Sequence, residues 1–289
     1  MVALVTGAFG FLGRHVAAGL AEEGWEVAVA GRPRTEIPSP EFDALLADAE
    51  PGLVVHCAGP ASVPASLADP EHDFRGSVEV LHELLERLRG RETALVLISS
   101  AAVYGQPERL PVTEDAPARP ISPYGFHRLH CELALREFHE LWGLRSCALR
   151  VFSAYGEGLR RQIMWDICVK ALREREVALH GTGAESRDFV HAADVARAVA
   201  LVAREAPLEA EAYNVGTGVE TRLGELAPLL LEALDSDAPV SFSGERRAGD
   251  PANWRADVSR LGALGFEPEV RVEEGAARYA EWARRELTA

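Results

Sequence analysis

Residues 1–24 read MVALVTGAFGFLGRHVAAGLAEEG, an apolar run, a glycine turn and a helix in immediate succession. Val2 to Val5 is short and apolar, as a strand buried on both faces of a sheet should be. Gly7, Gly10 and Gly13 are spaced G-x-x-G-x-x-G across the turn. From about Gly13 apolar residues recur at helical spacing, and the run stops near Gly24. Such glycines alone mean little. Between a strand and a helix N-terminus they form a phosphate cradle, because the backbone lets a pyrophosphate approach and the first turn offers unpaired N–H groups at the positive end of the helix dipole.

The pattern repeats outward from this unit. WEVAVAG (25–31), GLVVHCAG (52–59), TALVLISS (93–100) and RSCALRVFSAYG (145–156) read as strands. SVEVLHELLERLRG (77–90) and YGFHRLHCELALREFHELWG (124–143) read as helices closed by glycine. A helix is expected from near Asp194, a strand at EAYNVGTG (211–218), and a helix at TRLGELAPLLLEAL (221–234) with Thr221 as its N-cap. Alternating strands and helices specify an α/β fold, a Rossmann-type doubly wound parallel sheet with right-handed crossovers. The expected division is a dinucleotide-binding domain over 1–156, to which 184–218 returns. A smaller C-terminal substrate-binding lid covers 157–183 and 219–289, over the sheet edge where such folds bind ligands. The proline-rich stretch GRPRTEIPSPEF (31–42) reads as a surface loop.

Composition narrows the partners. With 289 residues, 47% of them hydrophobic, the chain is an ordinary globular protein. No apolar run approaches the ~20 residues of a membrane span. The N-terminus opens on a strand without a basic leader, so a cytoplasmic location is expected. A net charge of −15 disfavours nucleic acid and anionic membranes, and any anionic small ligand requires a local basic pocket. Cys57, Cys131, Cys147 and Cys168 lack metal-ligand spacing, so no metal is expected and the thiols read as buried and reduced.

Three further groups carry chemistry. An acidic residue closing the second strand would mark NAD. Gly31 and Arg32 stand there instead, with Arg34 and Arg14 nearby, and a guanidinium suits the 2′-phosphate of NADP. In SPYGFHR (122–128), Tyr124 and Arg128 are four residues apart and share a helix face. A cation beside a phenol favours the phenolate. Such a phenol exchanges a proton with an alcohol or ketone while a nicotinamide exchanges hydride with the carbon. Pro123 suits the first turn of that helix. Ser99 and Ser100 end a strand at the edge where catalytic groups of such sheets sit.

Taken together, TGAFGFLG, VVHCAG, SSAAVYG, SPYGFHR, LRVFSAYG, GTGAESRDFVHAADVA, YNVGTG and RRAGDPANWRADVSRLGALGF resemble the extended short-chain dehydrogenase/reductases of the NAD-dependent epimerase/dehydratase family, over nearly the whole chain. The resemblance implies an enzyme acting on a nucleotide sugar. It makes Ser100 the substrate-oxygen hydroxyl, Tyr124 the acid/base and Arg128 the basic partner. It assigns the cofactor to Gly7, Phe9, Gly10, Phe11, Leu12, Gly13, Arg32, Ala58, Gly59, Tyr124 and Arg128. It assigns the substrate to Ser100, Ser153, Arg187, Arg247 and Asp250. Arg128 stands where the family carries lysine, and Ser153 where it often carries asparagine. Ala101 and Ala102 replace the acids of 4,6-dehydratases, and methyl groups do no acid–base work. His127 reads as a helix-surface or interface histidine that could assist Arg128. The arginines near 32 and the short 31–52 segment favour an NADP-dependent 4-keto sugar reductase. The RDF and RRAGD blocks favour a UDP-sugar 4-epimerase with NAD. A non-catalytic dinucleotide sensor is the alternative of another class. The helices at 77–89 and 123–142 are apolar on more than one face, which in the family forms a homodimer.

Overall fold

The first strand, β1 (Val2–Thr6), lies inside a six-stranded parallel sheet. On one side it pairs with β2 (Glu26–Ala30), the edge strand, and on the other with β3 (Leu53–His56). The sheet continues through β4 (Ala94–Ser100) and β5 (Ser146–Val151) to a last strand, Glu209–Val215. The chain therefore steps from β1 to one side and returns to the other. This reversal opens a crevice beyond the carboxyl ends of β1 and β3, where ligands of doubly wound sheets bind. The computed structural model describes residues 1–245, 249 and 251–288.

Alternation along the strands separates two cores. Ala3 and Val5 of β1, and Val96 and Ile98 of β4, belong to the core that includes Val16 and Leu20 of helix α1 (Phe11–Glu22) and Val195 and Val199 of the helix Ala192–Glu205. Leu4, Leu95 and Leu97 face the opposite core, with Leu81, Leu84 and Leu88 of helix Val80–Leu88 and Leu135 and Phe138 of helix Pro123–Trp142. A third core joins the helices Gln162–Arg173, Leu223–Ala233 and Val272–Thr288 into the lid. Leu261 and Phe266, near the C-terminus, pack with the first core.

Local departures from the sequence reading have simple causes. The run 145–156 is two strands, because the chain leaves the sheet at Phe152 and Ser153–Tyr155 pairs with Phe189–His191 instead. The helix expected at 77–89 begins as a π-helical turn, Arg75–Glu79. Thr221 does not cap the next helix; it pairs with Arg187 in a short ribbon. The cap position is Arg222, whose N–H donates to the Glu225 carboxylate at 3.1 Å. Between β2 and β3 the structure has one helix, Pro40–Ala49, with Ser39 accepting from the Phe42 N–H at 3.1 Å.

Candidate active site

The crevice is a cavity of about 1020 Å³ between the sheet edge and the lid. Its floor is the glycine turn. Gly7 has φ +66, and a Cβ there would lie 2.7 Å from the Ala58 backbone. A Cβ on Gly13 would lie 2.2 Å from the Gly7 carbonyl oxygen. Only glycine lets the turn fold this closely onto β3 and α1. Gly10 caps α1 without a side chain, which leaves first-turn N–H groups for a ligand. Gly10, Phe11, Leu12, Gly13 and Gly59 line the cavity. Gly7 and Ala58 pack beneath it. Phe9 is exposed, with its ring against Gly31. Arg32 is also exposed and pairs with Glu36 at 3.1 Å.

Ser100, Tyr124 and Arg128 share one wall. Ser100 ends β4, and its Oγ accepts from the Ala102 N–H at 3.1 Å, capping the 3-10 turn Ala101–Tyr104. Helix Pro123–Trp142 starts against that turn: a Cβ on Gly125 would lie 2.5 Å from the Ala102 carbonyl oxygen. This packing sets the first turn of the helix, with Tyr124, against the turn that follows Ser100. The Ser122 side chain caps the helix through the Gly125 N–H, and Ser66 Oγ accepts from the Tyr124 N–H at 3.1 Å.

Arg128, one turn further, is buried and its guanidinium stands 5.2 Å from the Tyr124 ring centre. It donates to the carbonyls of Pro60, at 2.6 Å, and Ile98, at 3.4 Å. Its buried Nε has no partner among the described residues. Burial works against its charge, but Tyr124, Cys131 and Asp73 together leave its pKa above the ordinary value. The neighbouring Cys57 thiol is pushed up to about 12 by burial, so it is not a nucleophile at neutral pH.

A buried network behind the wall fixes its registry. Glu132, two turns beyond Tyr124, accepts from Arg150 of β5 at 2.7 Å and from Ser99 Oγ at 2.5 Å. Arg150 also donates to the Tyr104 hydroxyl at 2.8 Å, and that hydroxyl donates to Asn214 at 2.7 Å. Burial first, and the neighbouring carboxylates after it, push the Tyr104 hydroxyl up to about 12.

Ser153 and Arg187 also line the cavity, and the Arg187 guanidinium lies 5.6 Å from the Trp254 ring centre. Arg161 crosses from the lid to the loop after β3, donating to the Ala61 carbonyl at 2.6 Å. Arg128, Arg161 and Arg187 outnumber the acidic Asp166 and Glu185 that also line the cavity. Arg247 and Asp250 lie outside the described residues. Trp254 and the buried Asp73 were not singled out by sequence; Asp73 meets its partner His127 from 54 residues away, which no local pattern reveals. Among the described residues no group of three His, Cys, Asp or Glu side chains could hold a metal, and no helix is long and apolar enough to cross a membrane.

The parallel sheet, with its glycine turn opening onto a cavity that Ser100, Tyr124 and Arg128 also line, defines a Rossmann-type α/β enzyme. Residues 3–216 match the model of the NAD dependent epimerase/dehydratase family, and the chain belongs to that family. It is 31% identical to the UDP-glucose 4-epimerase of Azospirillum brasilense, over 97% of this chain and 91% of that one. The structure of a UDP-glucose 4-epimerase from Thermotoga maritima with UDP-glucose superposes with a TM-score of 0.90 at 29% identity, covering 99% and 100% of the two chains. A UDP-glucose 4-epimerase from Thermus thermophilus, complexed with NAD, gives 0.89 at 28% identity, covering 98% and 99%. These relatives are epimerases, and NAD is the cofactor in the Thermus complex. The expectation of an NADP-dependent reductase finds no support among them.

Proposed function

We propose that the chain is an NAD-dependent nucleotide-sugar 4-epimerase acting on a UDP-hexose. The observation that carries this reading is that Ser100, Tyr124 and Arg128 line the same cavity as the glycine turn. The residues fit the cofactor: a glycine turn folded too tightly to admit a Cβ at Gly7 or Gly13, an uncapped helix N-terminus, and the Arg128 side chain at the cavity wall. The N–H groups of Phe11 to Gly13 would hold the pyrophosphate, and Gly59 would line the nicotinamide half. The chemistry supplied by bound NAD is reversible hydride acceptance at C4 of the hexose.

The chain's own residues handle the proton. Ser100 donates to the C4 oxygen and fixes it beside Tyr124. Tyr124 takes the hydroxyl proton as the C4–H bond breaks, leaving a ketone. After the ring presents its other face, Tyr124 returns the proton to the oxygen as the C–H bond re-forms. Nothing is consumed. Arg128 keeps a positive charge beside the phenol through both halves. Arg187 and Ser153, with the lid over 157–183 and 219–289, are assigned to the diphosphate and nucleoside. Arg32 is assigned no role in cofactor choice, being paired with Glu36.

The test is incubation of the purified protein with UDP-glucose and NAD, without added reductant. The expected outcome is UDP-galactose, formed in both directions. Absence of interconversion, with consumption of NADPH on a 4-keto nucleotide sugar, overturns the reading in favour of a reductase. The helices Val80–Leu88 and Pro123–Trp142 are assigned to a homodimer contact. Phe126, Leu133 and Trp142 are exposed along the second of these. Sedimentation as a monomer at micromolar concentration would refute that contact.

A further inference from the structure

We propose that Asp73 and His127 are positioning residues that hold Arg128 against Tyr124, a role that rests on Tyr124 being the acid/base. A guanidinium has five N–H donors and a permanent charge, and taking it out of water requires acceptors and a counter-charge. The acceptors found for Arg128 are the two backbone carbonyls of Pro60 and Ile98, which carry no charge. Among the described residues no direct ion pair joins Arg128 to a carboxylate; the buried Asp73, 2% exposed and bound to the adjacent His127, favours its charge at longer range, after Tyr124 and Cys131.

The meeting point is tightly built. Asp73 and Ser77 lie one turn apart as the chain enters the π-helical turn Arg75–Glu79. A Cβ on Gly59 would lie 3.1 Å from the Gly76 carbonyl, 3.2 Å from Arg128 Nη2 and 3.7 Å from Ser77 Oγ. Arg128 Nε, Ser77 Oγ and Asp73 Oδ1 are all buried without a hydrogen-bond partner among the described residues. With its Nε unpaired, the Arg128 head group has few direct anchors, so its placement depends on charge and packing. Helices with π turns are common beside functional sites for this reason: the extra residue re-aims side chains.

His127 fixes the other side of Asp73. Its Nδ1 lies 2.6 Å from Asp73 Oδ2, and its ring packs edge-on against Phe74 at 5.4 Å. Because His127 precedes Arg128 on the same helix, the contact with Asp73 sets how that helix is rotated against its neighbour. Arginine has a larger, planar head than lysine, so a site built for it needs this additional hold.

Asp73→Asn keeps the shape and removes the charge. In the wild-type background it is expected to lower kcat about tenfold or more, with KM for the sugar nucleotide changed about threefold or less. In an Arg128→Met background the same substitution should change kcat by about twofold or less, since its effect runs through Arg128. NAD affinity, read by quenching of tryptophan fluorescence without any sugar, should show the same dependence on background. This arm reports even if the epimerase reading fails, so the two failures are distinguishable. Should Asp73→Asn not fold, His127→Ala is expected to lower kcat and His127→Gln, whose amide still donates to Asp73, to restore most of it. An unchanged kcat in Asp73→Asn, equal losses in both backgrounds, or no difference between His127→Ala and His127→Gln would overturn the proposal.

Discussion

Arg150→Met tests the network that registers the helix Pro123–Trp142 against β4 and β5. Arg150 and Glu132 have side chains only 11% and 9% exposed, and every nitrogen of the guanidinium is engaged. Methionine fills much of the volume but leaves Glu132 with only the Ser99 hydroxyl of the bonds described here, at 2.5 Å. Removing one partner of a buried pair typically costs about 3–5 kcal/mol, because the remaining charge is still dehydrated. For a chain of this size that corresponds to a fall of about 6–20 °C in Tm. Replacing both, Glu132→Gln with Arg150→Met, removes the stranded charge and should recover most of the loss, since buried pairs often break even against neutral substitutes. Urea unfolding at fixed pH, with the midpoint and slope followed for both variants, measures this directly. A loss below about 1 kcal/mol, the range of solvent-screened pairs, would refute the buried-pair reasoning. So would a double variant no more stable than Arg150→Met.

Gly13→Ala should abolish NAD binding and cost about 1–3 kcal/mol, the usual penalty of overpacking, because its Cβ meets the Gly7 carbonyl at 2.2 Å; calorimetry with and without NAD checks both. His56 is fully buried, and burial first, with the charge of Arg128 second, holds its pKa down to about 3. The native ring stays neutral while the unfolded ring takes a proton below about 6.5. Its contribution is therefore intact above that pH and is lost as pH falls toward 3, at up to about 1.4 kcal/mol per unit. His56→Gln should flatten that slope in urea titrations at pH 4 to 7, and an unchanged slope would refute the assignment. Arg32→Ala removes an exposed ion pair worth about 0–1 kcal/mol and should leave NAD affinity within about twofold by fluorescence titration. A large loss specific to NADP would restore the 2′-phosphate role.

The inner strands and the glycine turn were legible because β1, β3 and β4 are nearly continuous apolar runs and the helices Phe11–Glu22, Val80–Leu88 and Pro123–Trp142 are followed by Gly24, Gly90 and Gly143. Tyr124 and Arg128 were legible because helical spacing puts them on one face. The kink at Phe152 was not, since Ser153–Tyr155 remains apolar enough to continue β5 and its partner lies at Phe189–His191. The NADP reading drawn from Arg32 finds no support among the relatives, and the charge alone does not show its exposed partner Glu36 four residues on. Asp73 was invisible for the same reason over a longer distance. The arginine at position 128 is partly compositional: Lys170 is the only lysine in the chain. The site nonetheless has to accommodate the larger head, and the carbonyls of Pro60 and Ile98 do so.

Conversion of UDP-glucose by Tyr124→Phe, measured beside NAD affinity, bears most directly on the account. The phenol oxygen is the only atom removed, and the guanidinium, the serine and the glycine cradle remain. Interconversion is expected to fall by about 100-fold or more, as loss of a general acid–base group implies, while NAD binds nearly as before. Turnover at the wild-type rate in that variant would contradict the claim that Tyr124 carries the proton.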